Sequence, residues 1–479
     1  MPPALGVSLG TLLTGLGNCT KKGLRLCADI GRTMPRMFRS TETHVHNHIG
    51  AGNVCRTTSA RCVQVPSVPH QEHLAVSGPS RADSRKSHAM GHVLDTIMQH
   101  ADEIRAEGAE GDALMRLSDT SAKHIRNAGV IRLLQPKEYG GFESHPREFA
   151  ETVMSIGSLD GAAGWVSGIV GVHPWALACF DPKAQEEIWA EDNDMWMASP
   201  YAPMGVAVPV DGGYILNGRW AFSSGTDHCG WIMIGAAVGD KDGNRTDEIL
   251  YVVLPRSDYE IDPDSWNVIG LRGTGSKDLM VKDAFIPEYR TLDSAILLSG
   301  NGWRHAGRDE TLYRFPFSCI FPLGITSSLI GMTEGALACY IAAQKERVQV
   351  TGVAIKEDPY VLFAISEAAA EIAASRITLL ETVDRFWDKT NRGEEVSFEE
   401  RALGRRTQIS SAWRAVRAMD EVFARAGGAA VHLKTPMQRF WRDAHVGLTH
   451  AIHVPGMTYH SAALTQLGSD PQGPYRAMI

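Results

Sequence analysis

Tryptophan and tyrosine are missing from the first 89 residues of this 479-residue chain. All 11 of each lie beyond. Such side chains supply much of a core's buried area, so the packed protein is expected to begin near Met90. The same stretch is poor in acids, with 4 Asp+Glu against 11 Lys+Arg, and lacks a helical or strand period. It reads as a disordered extension, either transit-peptide-like or upstream of a true start at Met90. Paired C-x₂-C spacing is absent among the 8 Cys, which excludes zinc-ribbon sites and gives no sign of a disulfide framework. His44, His46 and His48 offer at most a weak metal cluster, and no metal is assigned. Cys179, Cys229, Cys319 and Cys339 sit in apolar contexts and read as buried thiols in a reducing, cytoplasmic setting. No apolar run approaches the roughly 20 residues needed to span a bilayer. Excess positive charge is also lacking: the chain carries −8, and residues 90–479 hold 36 Lys+Arg against 51 Asp+Glu. Nucleic acid and membrane are therefore not expected partners. No G-x-G-x-x-G loop opens a helix, so no nicotinamide-binding Rossmann domain is expected.

What remains is patterned. Residues 90–195 read as an N-terminal helical domain. Val93, Ile97, Ile104 and Leu114 are spaced for amphipathic helices, and Ser118-Asp119 marks a helix start. Over 196–292 the pattern changes to short β-rich runs. Val206–Val210 meets an Asp211-Gly212-Gly213 turn and then Tyr214–Phe222, while Ile249–Leu254 forms another strand. Residues 293–315, rich in Gly, Ser and Arg, read as a lid-like loop. Helical spacing returns over 316–479. Val361, Ile365, Ala368, Ile372, Leu379, Val383 and Phe386 mark one long helix. Ile409, Trp413, Val416, Met419 and Phe423 mark another, as in a bundle.

Three blocks carry a family likeness. Tyr214-Ile-Leu-Asn-Gly218 followed by Ala221-Phe-Ser-Ser224 is similar to a strand pair of the acyl-CoA dehydrogenases, with Ser224 where a Thr hydroxyl meets flavin N5. Lys345-Glu-Arg347-Val-Gln349 is similar to a segment near the flavin phosphates, although Val-Thr-Gly352 departs from the usual ending. Pro436-Met-Gln-Arg439-Phe-Trp-Arg442-Asp443 matches the Pro-x-x-Arg-x-x-Arg-Asp motif. The resemblance implies an α+β fold: an N-terminal helical domain, a middle β-barrel domain and a C-terminal four-helix bundle. One position departs decisively. Many acyl-CoA dehydrogenases place their catalytic Glu two residues before that Pro, where this chain has Lys434. A protonated Lys cannot accept the α-proton.

A second family on this fold fits better. The stretches Gly164–His173, Ser199–Gly205, Ser223–His228, Gly270–Ser276 and Arg439–His445 resemble the oxygenase components of two-component, flavin-dependent aromatic monooxygenases. The branch that hydroxylates a secosteroid phenol is the nearest likeness. The 4-hydroxyphenylacetate hydroxylases have a His, a Ser and a second Ser at the spacing of His173, Ser199 and Ser224. The resemblance implies ortho-hydroxylation of a phenol through a C4a-hydroperoxyflavin. Reduced FMN, or FADH2, would come from a separate NAD(P)H-flavin reductase, with dioxygen as co-substrate and a homotetramer as the assembly. His173 and Ser199 would hold the phenolic oxygen, Ser224 would meet flavin N5, and His445 would act near the flavin. Ser223, Arg347 and Arg272 would help bind it. His450 is the weaker of the two C-terminal histidines, and Arg442 with Asp443 reads as a structural pair. The alternatives are an acyl-CoA dehydrogenase with a displaced base and another flavin N- or S-monooxygenase.

Overall fold

The computed structural model describes residues 92–348, 352, 354–476 and 479. The transit-like extension and His44, His46 and His48 lie outside them. Seven helices come first: α1 (His92–Met98), α2 (Ala101–Leu114), α3 (Asp119–Ala128), α4 (Pro146–Leu159), α5 (Gly161–Val170), α6 (His173–Leu177) and α7 (Pro182–Trp189). Their starts follow local chemistry. Ser118 accepts from the Ser121 N–H at 3.1 Å, and Asp160 accepts from Ala163 N–H at 2.9 Å, satisfying donors that a helix start leaves open.

The middle of the chain is one eight-stranded mixed sheet. Its strands are β1 (Met197–Ala198), β2 (Pro203–Val210), β3 (Gly213–Ser223), β4 (Trp231–Gly239), β5 (Arg245–Pro255), β6 (Glu260–Asp262), β7 (Lys277–Pro287) and β8 (Thr291–Asp293). The order is β6-β7-β3-β2-β4-β5-β8, with β1 added parallel to β4. β2 and β3 form the expected hairpin, turned by Asp211-Gly212 with Gly212 at φ +78°. The sheet differs from the expected barrel in staying open. Closure would require β6 to pair with β8, and these end strands are three residues each.

Residues 293–315 also differ from expectation. They hold α8 (Ser294–Leu298), α9 (Gly302–His305) and a 3-10 turn at Thr311–Arg314. Leu297, Leu312, Tyr313 and Phe315 are buried. Trp175 Nε1 donates to the Leu312 carbonyl, and Arg308 Nε donates to the Ala178 carbonyl, each at 2.8 Å. The apolar side chains scattered among the glycines bind this connection to the core, so it is packed rather than a free lid.

The C-terminal part is α10 (Phe317–Glu346), α11 (Pro359–Asn391), α12 (Phe398–Arg425), α13 (Pro436–Leu448) and α14 (Pro455–Gln466). Helix α10 is long and apolar enough to cross a membrane, but 72% of its most apolar window is buried inside the protein. It is the core helix, packed on α4, α5, α12 and α13. Small residues allow the close approach: a Cβ on Gly168 would lie 2.5 Å from the Gly324 carbonyl oxygen.

Candidate active site

Helices α5 and α6 are joined by a short turn and carry the first group. His173 opens α6 and is fully buried. Its Nδ1 lies 2.5 Å from the Met197 carbonyl oxygen, and its Nε2 lies 2.6 Å from Ser199 Oγ. A carbonyl can only accept, so Nδ1 carries the proton and donates. Nε2 is then a lone pair, and Ser199 donates its hydroxyl proton to it. Strand β1 makes this possible, because its parallel pairing with β4 fixes the Met197 carbonyl opposite the ring. Burial pushes the His173 pKa down to about 4, against which the Met197 bond acts. The imidazole is therefore neutral at pH 7, with a basic nitrogen aimed at a hydroxyl. The Tyr201 ring lies 5.8 Å away and packs against Tyr251, Phe317 and Phe321.

The end of β3 carries the second group. Its pairing with β7 shifts register between Trp220 and Ser223, and Phe222 takes φ +69° with 66% of its surface exposed. Such a bulge re-aims the side chains that follow it. Ser223 Oγ is buried without a partner among the described residues. Ser224 Oγ receives the Trp165 Nε1–H at 3.3 Å and lies 2.8 Å from Ser276 Oγ. Ser276 in turn lies 2.7 Å from Thr274 Oγ1, which donates to the Leu271 carbonyl at 2.7 Å.

Helix α13 holds that last loop in place. The Leu271 N–H donates to Asp443 Oδ1 at 2.6 Å, with Leu271 itself at φ +54°. Burial raises the Asp443 pKa to about 7. The expected Arg442–Asp443 pair is not what forms. Arg442 pairs with Asp112 at 3.2 Å, because adjacent helix positions face different neighbours.

The structure does not join the remaining candidates to these groups. His445 Nδ1 donates to the Trp441 carbonyl at 2.7 Å, and its Nε2 lies 3.2 Å from Asp420. It lines a surface cleft of about 490 Å³ with Trp413, Arg417 and Leu448. The His450 ring meets Trp165, the indole that donates to Ser224, edge-on at 5.9 Å, and burial lowers its pKa to about 4. It lies beyond the end of α13, where the turn rather than the helical period sets its direction. Arg347 donates to the Ala426 carbonyl, and Arg272 donates to the Asp112 and Val268 carbonyls. Both described sets of bonds tie the chain to itself. Trp165, Thr274 and Ser276 were not singled out by sequence reasoning, which ranked His450 below His445. The Gly270–Ser276 stretch contained two of them, but its motif did not reveal which hydroxyls meet. Elsewhere, ligand atoms of His100, Glu103 and His124 lie within 4.8 Å of one another, with His124 Nε2 2.8 Å from Glu103.

Comparison with known proteins identifies the setting. The acyl-CoA dehydrogenase C-terminal domain family matches residues 323–455. A pigment production hydroxylase of Rhodococcus erythropolis is 57% identical, covering 81% of this chain and 99% of that protein. The flavin-dependent monooxygenase oxygenase subunit HsaA of Mycobacterium tuberculosis is 40% identical, covering 77% and 93%. The chain belongs to the flavin-dependent monooxygenase oxygenase components of acyl-CoA dehydrogenase fold. A crystal structure of the M. tuberculosis HsaA monooxygenase superposes with TM-score 0.75 at 38% identity, covering 81% of this chain and 100% of that one. An FADH2-dependent resorcinol hydroxylase oxygenase component of a Rhizobium strain is 31% identical, covering 78% and 94%. As an oxygenase subunit, the protein is one half of a two-component system whose reduced flavin comes from a separate reductase.

The residues present fit a flavin. Ser223 Oγ, buried without a partner among the described residues, and the further bonding capacity of Ser224 Oγ would offer a flavin polar contacts at the bulged end of β3. Exposed Phe222 supplies an apolar surface beside them, with Trp266 edge-on at 6.2 Å.

Proposed function

We propose that this oxygenase component hydroxylates a phenolic aromatic substrate ortho to its hydroxyl, using reduced flavin and dioxygen. FMNH2 is the assigned flavin and FADH2 the rival. The carrying observation is the Met197–His173–Ser199 chain of hydrogen bonds. When bound, reduced flavin activates dioxygen and supplies the oxygen atom; Ser223 and Ser224 would hold it.

The chain's own residues handle the phenol. A phenol hydroxyl donates to Ser199 Oγ, which donates to His173 Nε2. The proton is shared at first and is not transferred outright. A phenol near pKa 10 and an imidazole at about 4 differ by about 8 kcal/mol. As oxygen attacks the ring, its hydroxyl becomes strongly acidic, and the proton then passes through Ser199 to Nε2. Met197 holds the opposite nitrogen protonated, so His173 always offers the correct lone pair. Tyr201 beside His173, with Tyr251, Phe317 and Phe321 packed on it, gives the site an aromatic wall that suits an aromatic ring. The similarity to a resorcinol hydroxylase supports a phenolic substrate. The secosteroid resemblance supports FMN and a polycyclic phenol, and the family supports a homotetramer.

The test is turnover with a flavin reductase, NADH, ¹⁸O₂, and either FMN or FAD. Monophenols, resorcinol and polycyclic phenols are compared with indole, dibenzothiophene and an acyl-CoA. The expected product is an ¹⁸O-labelled catechol, formed with less hydrogen peroxide than in reactions without phenol. Oxygenation of indole or the sulfur ring with every phenol left intact would overturn the phenol assignment. Flavin bleaching by the acyl-CoA would overturn the monooxygenase chemistry.

A further inference from the structure

We infer that Thr274 and Ser276 orient the Ser224 hydroxyl as an acceptor, so that the site selects reduced over oxidised flavin. The inference rests on the reading that places flavin N5 at Ser224.

The direction of the relay follows from counting protons. The Leu271 carbonyl has none to give, so at 2.7 Å Thr274 Oγ1 must donate to it. A hydroxyl carries one proton, and that bond uses it. Thr274 Oγ1 can therefore only accept from Ser276 Oγ, 2.7 Å away. Ser276 has now spent its own proton. Its contact with Ser224 Oγ at 2.8 Å requires Ser224 to be the donor. On the other side, the Trp165 indole can only donate, and Ser224 Oγ accepts from it at 3.3 Å. The Ser224 hydrogen and one lone pair are thus occupied. The capacity that remains is a lone pair.

Flavin N5 differs between oxidation states in the matching way. Oxidised flavin has a bare nitrogen there, which only accepts. Reduced flavin has an N–H, which donates. A Ser224 locked as acceptor complements the reduced form and opposes the oxidised form lone pair to lone pair. The lock is buried throughout, since Ser224, Thr274 and Ser276 are each less than a tenth exposed. It is also anchored, because Asp443 on α13 holds Leu271 through its N–H. Thr274 and Ser276 are positioning residues that act through Ser224.

The test measures binding, without turnover. Anaerobic titration of the full chain with oxidised FMN and with dithionite-reduced FMN gives two Kd values. The reduced form is expected to bind at least about tenfold tighter, the scale of one mismatched buried hydrogen bond. This corresponds to a rise of about 30 mV in the potential of bound flavin. Ser276→Ala frees the Ser224 proton to turn toward N5. The preference is expected to fall about tenfold, chiefly through tighter oxidised FMN, and Ser276→Thr to restore it. Near-isosteric Thr274→Val tests the same relay from its far end and should also lower the preference. If both Ser276→Ala and Thr274→Val keep the wild-type ratio while Ser224→Ala changes it, the relay is wrong. If Ser224→Ala changes neither Kd, the placement of the flavin fails and takes the inference with it.

Discussion

His173 can be tested by acid alone. Burial holds its folded-state pKa at about 4, against 6.5 for an unhindered imidazole. Between those values the unfolded chain binds a proton that the folded chain refuses. Stability therefore rises with pH through this window and is lost as pH falls from about 6.5 to about 4. At 1.36 kcal/mol per pH unit, the contribution lost is about 2 kcal/mol by pH 5 and about 3 kcal/mol by pH 4. His450 and His453 are buried and lowered in the same direction, so the wild-type curve carries several such contributions. The perturbation that isolates one is His173→Gln, whose amide can donate to Met197 and accept from Ser199 without titrating. Urea unfolding followed by tryptophan fluorescence at pH 5, 6 and 7, at matched protein concentration, gives the slopes. The variant is expected to lose about 2 kcal/mol less than wild type between pH 7 and pH 5. Parallel curves would show that His173 already titrates normally in the folded protein. The assignment of a neutral, basic Nε2 would then fall.

Other consequences can be checked more briefly. Ser199→Ala should cut hydroxylation of a phenol by about a hundredfold in kcat/KM while flavin Kd stays unchanged, because the relay to His173 is broken and the β3 end is untouched; an equal loss of flavin binding would count against it. Asp443→Ala leaves the Leu271 N–H buried without an acceptor and should cost about 2 kcal/mol in unfolding free energy. Asp443→Asn keeps an acceptor without a buried charge and should be milder at pH 8. Gly168→Ala forces a methyl against the Gly324 carbonyl and should cost about 1–3 kcal/mol, read as a lowered Tm. A neutral result would mean that α5 and α10 can part without loss.

Much of the fold was legible because it is periodic. Helices over 359–391 and 398–425 follow from apolar spacing, and the β2–β3 hairpin follows from its Asp-Gly turn. The buried state of Cys179, Cys229 and Cys319 follows from context. The open sheet and the packed connection at 293–315 were not legible. Both depend on which strands and apolar side chains meet across the chain, and no local pattern records that. The site divides the same way. The family resemblance pointed to His173, Ser199 and Ser224, and Lys434 stands where many acyl-CoA dehydrogenases carry their Glu base.

Tertiary contact decided what those residues can do. It chose the His173 tautomer by bringing up the Met197 carbonyl, and it set His450 rather than His445 beside Trp165. It also gave Ser224 its direction through Thr274 and Ser276. The reason is physical: a sequence fixes how many protons a side chain owns, whereas only a neighbour in space decides where each one points.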